Sequence, residues 1–131
     1  QPVSSCLVLA PQAEGREITT VEGLEGPMGE LSTVQQAFVD HTGFQCSYCT
    51  PGFILSSTAL LAETPDPSRE DIVHGLEGNL CRCTGYAPII EAVLAAARAG
   101  REGFGDAGWS EAAASPAGLA PAPAGEGEGA R

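Results

Sequence analysis

The chain has 131 residues, enough for one small domain, and six basic against seventeen acidic side chains give it a formal net charge of −11. This charge argues against nucleic-acid binding, which needs clustered Lys and Arg, and against docking on anionic lipid. The sequence has no run of eighteen apolar residues, so we expect no membrane-spanning segment. It begins at Gln1 rather than at a Met, and we therefore expect a fragment.

Two short segments near the start carry a β-strand signal. Residues 3–10 have the sequence VSSCLVLA and residues 16–20 have the sequence REITT, with the turn residues Glu14 and Gly15 between them. Two strands cannot form a domain by themselves, so we interpret residues 1–24 as the end of a sheet whose earlier strands lie upstream. The alternative is an N-terminal hairpin that packs on the residues after it.

Apolar residues at helical spacing predict two helices in the middle of the chain. The first is expected to be capped by Ser32 or Thr33 and to end near His41. The second is expected to be capped by Thr50, with Pro51 in its first position, and to run to about residue 62.

A second pair of helices is predicted further along the chain. The third helix is expected to open at Ser68, with Asp71 three residues later forming a capping box, and to close at Gly78. The fourth is expected to run from near Pro88 to about Arg98, with the glycine two residues later as its stop. Four short helices in two pairs predict a mainly α fold, a compact four-helix bundle.

The end of the chain has a different composition. Residues 100–131 are mostly Gly, Ala, Pro and Glu, and such a segment buries too little apolar area to offset the entropy of ordering it. We therefore expect a disordered tail. Trp109 is the exception in this segment, either as an exposed side chain or as an anchor on a partner.

The chain has five cysteines, an odd number that disfavours a closed disulfide framework. Cys46 and Cys49 form a CxxC pattern, and after thirty-one further residues Cys81 and Cys83 form a CxC pattern. Each pair lies in a loop between two predicted helices, so the four thiols converge if the two helix pairs pack side by side. A centre built from free thiols indicates a reducing, cytoplasmic compartment.

Four thiolates without a histidine suit either a zinc ion or an iron–sulfur cluster. The CxC pattern brings two sulfurs together across a single residue, which favours a two-iron cluster over a zinc-binding loop. A zinc-stapled interaction module is the alternative, and a helical adaptor with inert or disulfide-bonded cysteines is a third. His41 and His74 are single histidines without a metal-like partner spacing, and the sequence has no Ser/His/Asp, P-loop or GxGxxG pattern.

Two linked motifs, QCSYCTPG at residues 45–52 and GNLCRCTGY at residues 78–86, resemble the iron–sulfur subunit of the xanthine dehydrogenase family. That family includes aldehyde oxidoreductases, aerobic carbon monoxide dehydrogenases and bacterial N-heterocycle hydroxylases. Residues 5–7 and 18–24 also look like the family, and the resemblance covers about residues 3–98.

The resemblance implies a domain order and a cofactor. It implies a remnant of a β-rich, plant-type ferredoxin-like domain at residues 1–24 and a four-helix [2Fe–2S]-binding domain at residues 25–99. The cluster ligands that it implies are Cys46, Cys49, Cys81 and Cys83. In relatives the residues that correspond to Gln45 and Cys83 approach the molybdopterin of the partner.

The sequence departs from the family pattern at its start. Cys6 looks like the fourth ligand of the ferredoxin-like cluster, but the other three cysteines of that cluster are absent, so we expect only one cluster in this chain. Ser47 and Tyr48 stand where relatives often have Gly and Phe. Neither change touches a ligand.

The function that the resemblance implies is electron transfer within a molybdenum hydroxylase. Electrons would pass from molybdopterin on a large subunit through this chain toward a second cluster and the FAD of a medium subunit. The isolated chain is not expected to turn over substrate. Neither nucleic acid nor a membrane is expected as a partner.

Overall fold

The computed structural model describes residues 1–101, and within them three short 3-10 turns precede four α-helices. The helices are α1 (Thr33–Asp40), α2 (Thr50–Glu63), α3 (Arg69–Leu76) and α4 (Ala87–Arg101). This confirms the prediction of a mainly α chain with four helices. No helix in this part of the chain is long and apolar enough to cross a membrane. The predictions for Trp109 and for the tail after Arg101 lie outside the described residues.

The two strands predicted near the start are not formed. Residues 3–10 and 16–20 contain no strand, and the hairpin alternative is absent with them. Strands are stable only when paired, and the described residues offer these segments no neighbouring strand. Their apolar side chains lie in solvent, including Val3, Leu7, Leu9 and Ile18. The 3-10 turns occupy Ser5–Leu7, Ala10–Ala13 and Val21–Leu24 instead.

Two helices begin with the capping boxes that local sequence rules favour. At α1, Ser32 Oγ accepts a hydrogen bond from Gln35 N at 3.3 Å, and Gln35 Oε1 accepts one from Ser32 N at 2.8 Å. At α3, Ser68 and Asp71 exchange the same two bonds at 3.2 and 2.8 Å. Each box satisfies backbone N–H groups that have no partner inside the helix, so both predicted starts are confirmed.

Helix α2 starts one residue earlier than predicted. Its cap is Cys49, whose carbonyl accepts from Phe53 N at 3.2 Å, and Thr50 is already helical. The predicted Thr50 cap is therefore wrong, and its buried Oγ1 has no hydrogen-bond partner among the described residues. Pro51 still suits this first turn, because a residue there needs no N–H for the helix ladder.

Helix α4 continues past its predicted end. The predicted stop at Gly100 is wrong, because the helix runs on to Arg101. Gly100 does not adopt the left-handed conformation with which a glycine ends a helix, and the Arg101 guanidinium pairs with the Asp66 carboxylate. The basic end also complements the helix dipole.

The four helices enclose one apolar core. Helix α1 packs mainly on α4 and α2 packs mainly on α3, so the first and last helices are neighbours. The largest buried side chains of the core are Phe38, Phe53, Leu61, Ile72, Ile89, Val34 and Val93. Because α1–α2 and α3–α4 are each joined by a cysteine-containing loop, this packing fixes where the two loops stand.

Candidate metal centre

The side chain of Asn79 joins the loop of the second cysteine pair to α2. Asn79 Nδ2 donates to Ser56 Oγ at 2.9 Å. This hydrogen bond connects the loop before α4 to the first turns of α2. A Cβ on Gly52 would lie 2.9 Å from Asn79 Oδ1, so a larger residue there would require the Asn79 side chain to shift. The loop of the second cysteine pair is thereby held against the helix that follows the first pair.

The structure brings the four predicted thiols together as two pairs. Cys83 Sγ lies 3.5 Å from Cys46 Sγ and donates to it. The thiols of Cys49 and Cys81 are near enough for each to change the pKa of the other. Each loop therefore contributes one sulfur to each pair. Cys46 and Cys83 are exposed and the other pair is half-buried, so the site opens at the end of the bundle.

The Cys81 sulfur receives most of the hydrogen bonds at the site. Thr84 Oγ1 lies 3.1 Å from Cys81 Sγ, and Thr84 N donates to the same sulfur at 3.4 Å. These bonds from Thr84, followed by one from the Cys83 backbone, lower the pKa of the Cys81 thiol to about 7. The ionised form, which is the form that binds metals, is therefore favoured at Cys81.

The other three thiols differ in their surroundings. A backbone N–H bond from Tyr48, followed by the Cys83 thiol, lowers the pKa of Cys46. Burial, followed by the neighbouring Cys81 thiol, raises the pKa of Cys49. Hydrogen bonding to Cys46 raises the pKa of Cys83, because Cys83 is the donor in that contact. Each pair thus contains one thiol with a lowered pKa and one with a raised pKa.

Tyr86 orders the loop around Cys81 in a way that the sequence did not reveal. Its hydroxyl accepts from Cys81 N at 3.0 Å, and its own N–H donates to Thr84 Oγ1 at 3.1 Å. Gly85 and Tyr86 both have positive φ angles, +70° and +69°, which turn the chain sharply before α4. A hydroxyl residue directly after CxC was the only sequence signal for this network.

The first cysteine loop contains a strained residue. Ser47 has a φ of +63°, in the left-handed region that favours glycine, and its carbonyl accepts from Thr50 N at 3.3 Å. A non-glycine residue pays about 1 kcal/mol for this conformation. Tyr48, next to it, is 94% exposed, so the aromatic ring projects from the loop.

The remaining candidate residues lie outside the two thiol pairs. Gln45 is exposed beside Cys46. Cys6 is exposed in the turn Ser5–Leu7 and has no sulfur partner within residues 1–101. His41 ends α1 at the surface, and the imidazole of His74 faces carboxylates of its own helix turn.

The donor set fits a two-iron cluster better than a single ion. A zinc site needs three or four donors around one point, and within the described part of the chain no three His, Cys, Asp or Glu side chains are arranged in that way. A [2Fe–2S] cluster instead takes four thiolates, two on each iron. The two adjacent sulfur pairs, each made of one sulfur from each loop, suit that requirement.

A profile of the [2Fe-2S] binding domain family matches residues 20–94, a range that includes both cysteine pairs and excludes Cys6. The chain is 53% identical over 92 residues to the nicotine 6-hydroxylase small subunit of Paenarthrobacter nicotinovorans, and the match covers 70% of this chain and 54% of that protein. It is 50% identical over 94 residues to the xanthine dehydrogenase iron-sulfur-binding subunit of Escherichia coli O157:H7, with 70% and 58% covered.

A solved structure has a similar fold. The quinoline 2-oxidoreductase structure from Pseudomonas putida 86 superposes with a TM-score of 0.72 at 47% identity, covering 78% of this chain and 64% of that one. The chain spans about half the length of the curated relatives that it matches.

Proposed function

This chain belongs to the [2Fe–2S] binding domain family, and from that premise we propose that it is an electron-transfer iron–sulfur subunit, or part of one, in a molybdenum hydroxylase. The proposed cluster ligands are Cys46, Cys49, Cys81 and Cys83. The observation that carries the proposal is the pairing of their sulfurs, Cys46 with Cys83 and Cys49 with Cys81. We expect each iron to take one thiolate from each loop.

A bound [2Fe–2S] cluster supplies one-electron redox chemistry, and the chain supplies its position and surroundings. The hydrogen bond from Asn79 to Ser56 holds the loop of the second cysteine pair against α2, the helix that follows the first pair. The donors from Thr84 to Cys81 and from Tyr48 to Cys46 stabilise the ionised thiols that ligation requires.

We propose that the open end of the site faces the partner subunits. Tyr48 lies within the first cysteine pair and Leu80 directly precedes the second, and their side chains are 94% and 83% exposed, so this end of the bundle offers apolar surface beside the exposed thiols for a partner to cover. The proposed partners are a large subunit with molybdopterin and a medium subunit with FAD. Gln45, exposed beside Cys46, and Cys83 are the proposed neighbours of the molybdopterin.

The proposed electron path is the one that the family resemblance implies. Electrons reach the chain from molybdopterin and leave toward a second cluster and the flavin, so the isolated chain is not expected to turn over substrate. We propose that Cys6 belongs to that second, ferredoxin-like cluster, since it lies outside both thiol pairs and outside the family match. Five free cysteines further support a reducing, cytoplasmic location.

The proposal is tested by purifying the full chain anaerobically and measuring iron, sulfide, zinc and the visible spectrum. We expect about two irons and two sulfides per chain, with a broad absorbance that bleaches on reduction. About one zinc with neither sulfide nor colour would refute the proposal in favour of the zinc-stapled module.

A matched pair of variants tests the ligand assignment. Cys83→Ala removes a proposed ligand and should abolish iron binding, whereas Cys6→Ala removes a thiol outside the two pairs and should retain it. Retained iron and absorbance in Cys83→Ala would show that the ligand set is wrong.

A further inference from the structure

Thr84 makes two contacts with one sulfur. Its hydroxyl oxygen lies 3.1 Å from Cys81 Sγ and its backbone N–H donates to that atom at 3.4 Å. Within residues 1–101 no other hydroxyl group is hydrogen-bonded to a cysteine sulfur. The Cys81 sulfur is therefore distinguished from the other three by its contact with a side-chain hydroxyl.

The direction of the hydroxyl contact follows from its surroundings. Tyr86 N donates to Thr84 Oγ1 at 3.1 Å, so the oxygen acts as an acceptor on that side and its proton is left for another partner. A cysteine that ligates iron is a thiolate and has no proton to donate. In the loaded protein the Thr84 hydroxyl must therefore be the donor and Cys81 Sγ the acceptor.

We propose that Thr84 is a positioning residue that raises the reduction potential of the cluster through this hydrogen bond. The inference rests on the proposed function, in which Cys81 is a ligand. Reduction adds one negative charge that spreads onto the sulfurs, and a hydrogen bond to a ligand sulfur stabilises the more negative state. Removing the hydroxyl should make the cluster harder to reduce.

Thr50 provides a matched control within the same chain. It follows the first cysteine pair directly, as Thr84 follows the second, but its buried Oγ1 has no hydrogen-bond partner among the described residues. Thr→Val replaces the hydroxyl by a methyl group of similar size at either position. The two substitutions therefore make the same chemical change, and only Thr84→Val removes a contact with sulfur.

The experiment is a redox titration of the purified full chain, followed by visible absorbance, with iron content measured for each variant. Thr84→Val should reduce the equilibrium constant for one-electron reduction several-fold, where a tenfold decrease corresponds to about 59 mV. Thr84→Ser retains a hydroxyl and should restore the wild-type potential. Thr50→Val should leave the potential unchanged.

The outcomes separate this inference from the proposed function. A Thr84→Val protein with full iron content and an unchanged potential would overturn the role of Thr84 while leaving the cluster assignment intact. So would a Thr84→Ser protein with a potential as low as that of the valine variant. If Thr84→Val fails to take up iron, Thr84→Ala is titrated instead and must show the same decrease. A wild-type chain without iron and sulfide would refute the proposed function itself.

Discussion

The rings of Phe53 and Tyr86 meet edge to face, with their centroids 6.3 Å apart and their planes inclined by 70°. Phe53 lies in the core with 1% of its surface exposed, whereas Tyr86 belongs to the loop of the second cysteine pair. Because the Tyr86 hydroxyl also accepts from Cys81 N at 3.0 Å, one side chain connects the hydrophobic core to the candidate metal centre.

Tyr86→Phe should destabilise the chain by about 1 kcal/mol. The substitution keeps the ring against Phe53 but leaves Cys81 N–H without its acceptor. The measurement is the midpoint of urea unfolding of the full chain under anaerobic conditions. Tyr48→Phe is the control, because that ring is 94% exposed, and its midpoint should equal that of the wild type. Equal midpoints for both variants would show that the Tyr86 hydroxyl does not support the loop.

Two adjacent serines in α2 should respond differently to replacement by alanine. Ser57 is fully buried and its Oγ has no partner among the described residues, so Ser57→Ala should be neutral or stabilising by up to about 1 kcal/mol. Ser56 Oγ accepts from Asn79 Nδ2 at 2.9 Å, so Ser56→Ala should cost about 1 kcal/mol. Thermal unfolding of the two variants checks the pair, and a loss of stability in Ser57→Ala would contradict the prediction.

Stability should depend on pH through the capping box of α3. The Ser68 hydroxyl, followed by the Ser68 N–H, holds the pKa of Asp71 below its ordinary value of 3.8. A carboxyl whose pKa is lower in the folded state contributes stability above the unfolded pKa, and that contribution is lost as the pH falls through the folded pKa.

Asp71→Asn removes this titration while keeping an oxygen that can accept from Ser68. The variant should be less stable than the wild type at neutral pH, and its stability should fall less steeply below about pH 4. Urea unfolding at several pH values measures both effects. If the free energy of unfolding falls equally steeply with decreasing pH in the wild type and in Asp71→Asn, Asp71 is excluded as a source of the pH dependence.

Removing the metal should expose a reactive thiol at Cys81. Its pKa of about 7 leaves about half of the group ionised at neutral pH, whereas burial raises the pKa of Cys49. Iodoacetamide should therefore modify Cys81 before Cys49 in the metal-free chain, and the Cys81 rate should fall about tenfold for each pH unit well below 7.

The sequence makes this alkylation experiment easy to resolve. Trypsin cleaves after Arg69 and Arg82, so the peptide between them contains Cys81 as its only cysteine. Mass spectrometry of that peptide at several pH values gives the rate of Cys81 alkylation directly. Thr84→Val should move the midpoint of the rate–pH curve for Cys81 alkylation to higher pH. An unshifted midpoint would mean that a group other than the Thr84 hydroxyl lowers the pKa of Cys81.

Local sequence rules were sufficient for the features that depend on a few neighbouring residues. Ser32 with Gln35 and Ser68 with Asp71 form capping boxes that need no tertiary contact, and both predicted helix starts are confirmed. The helical spacing of apolar residues, together with the flanking glycines, was enough to predict that each cysteine pair lies between two helices. The meeting of Cys46 and Cys83 then followed from the helix packing.

The features that depend on distant residues could not be predicted in the same way. Residues 3–10 have a β-rich composition, but a strand needs a partner that the described chain does not contain. The contact between Thr84 and Cys81 lies directly before the left-handed turn at Gly85 and Tyr86, and the Tyr86 ring packs on the core residue Phe53. Local sequence rules do not describe a tertiary contact of this kind.

The pairing of α1 with α4 has a consequence for synthesis on the ribosome. Among the four helices of residues 1–101, α4, on which α1 mainly packs, is made last, whereas α2 and α3 are adjacent in the chain and can associate earlier. Both cysteine pairs precede α4 in the sequence, so they emerge from the ribosome before α4 does. We therefore expect all four thiols to be available to metal delivery before α4 docks on α1, the contact that sets where the two cysteine loops lie.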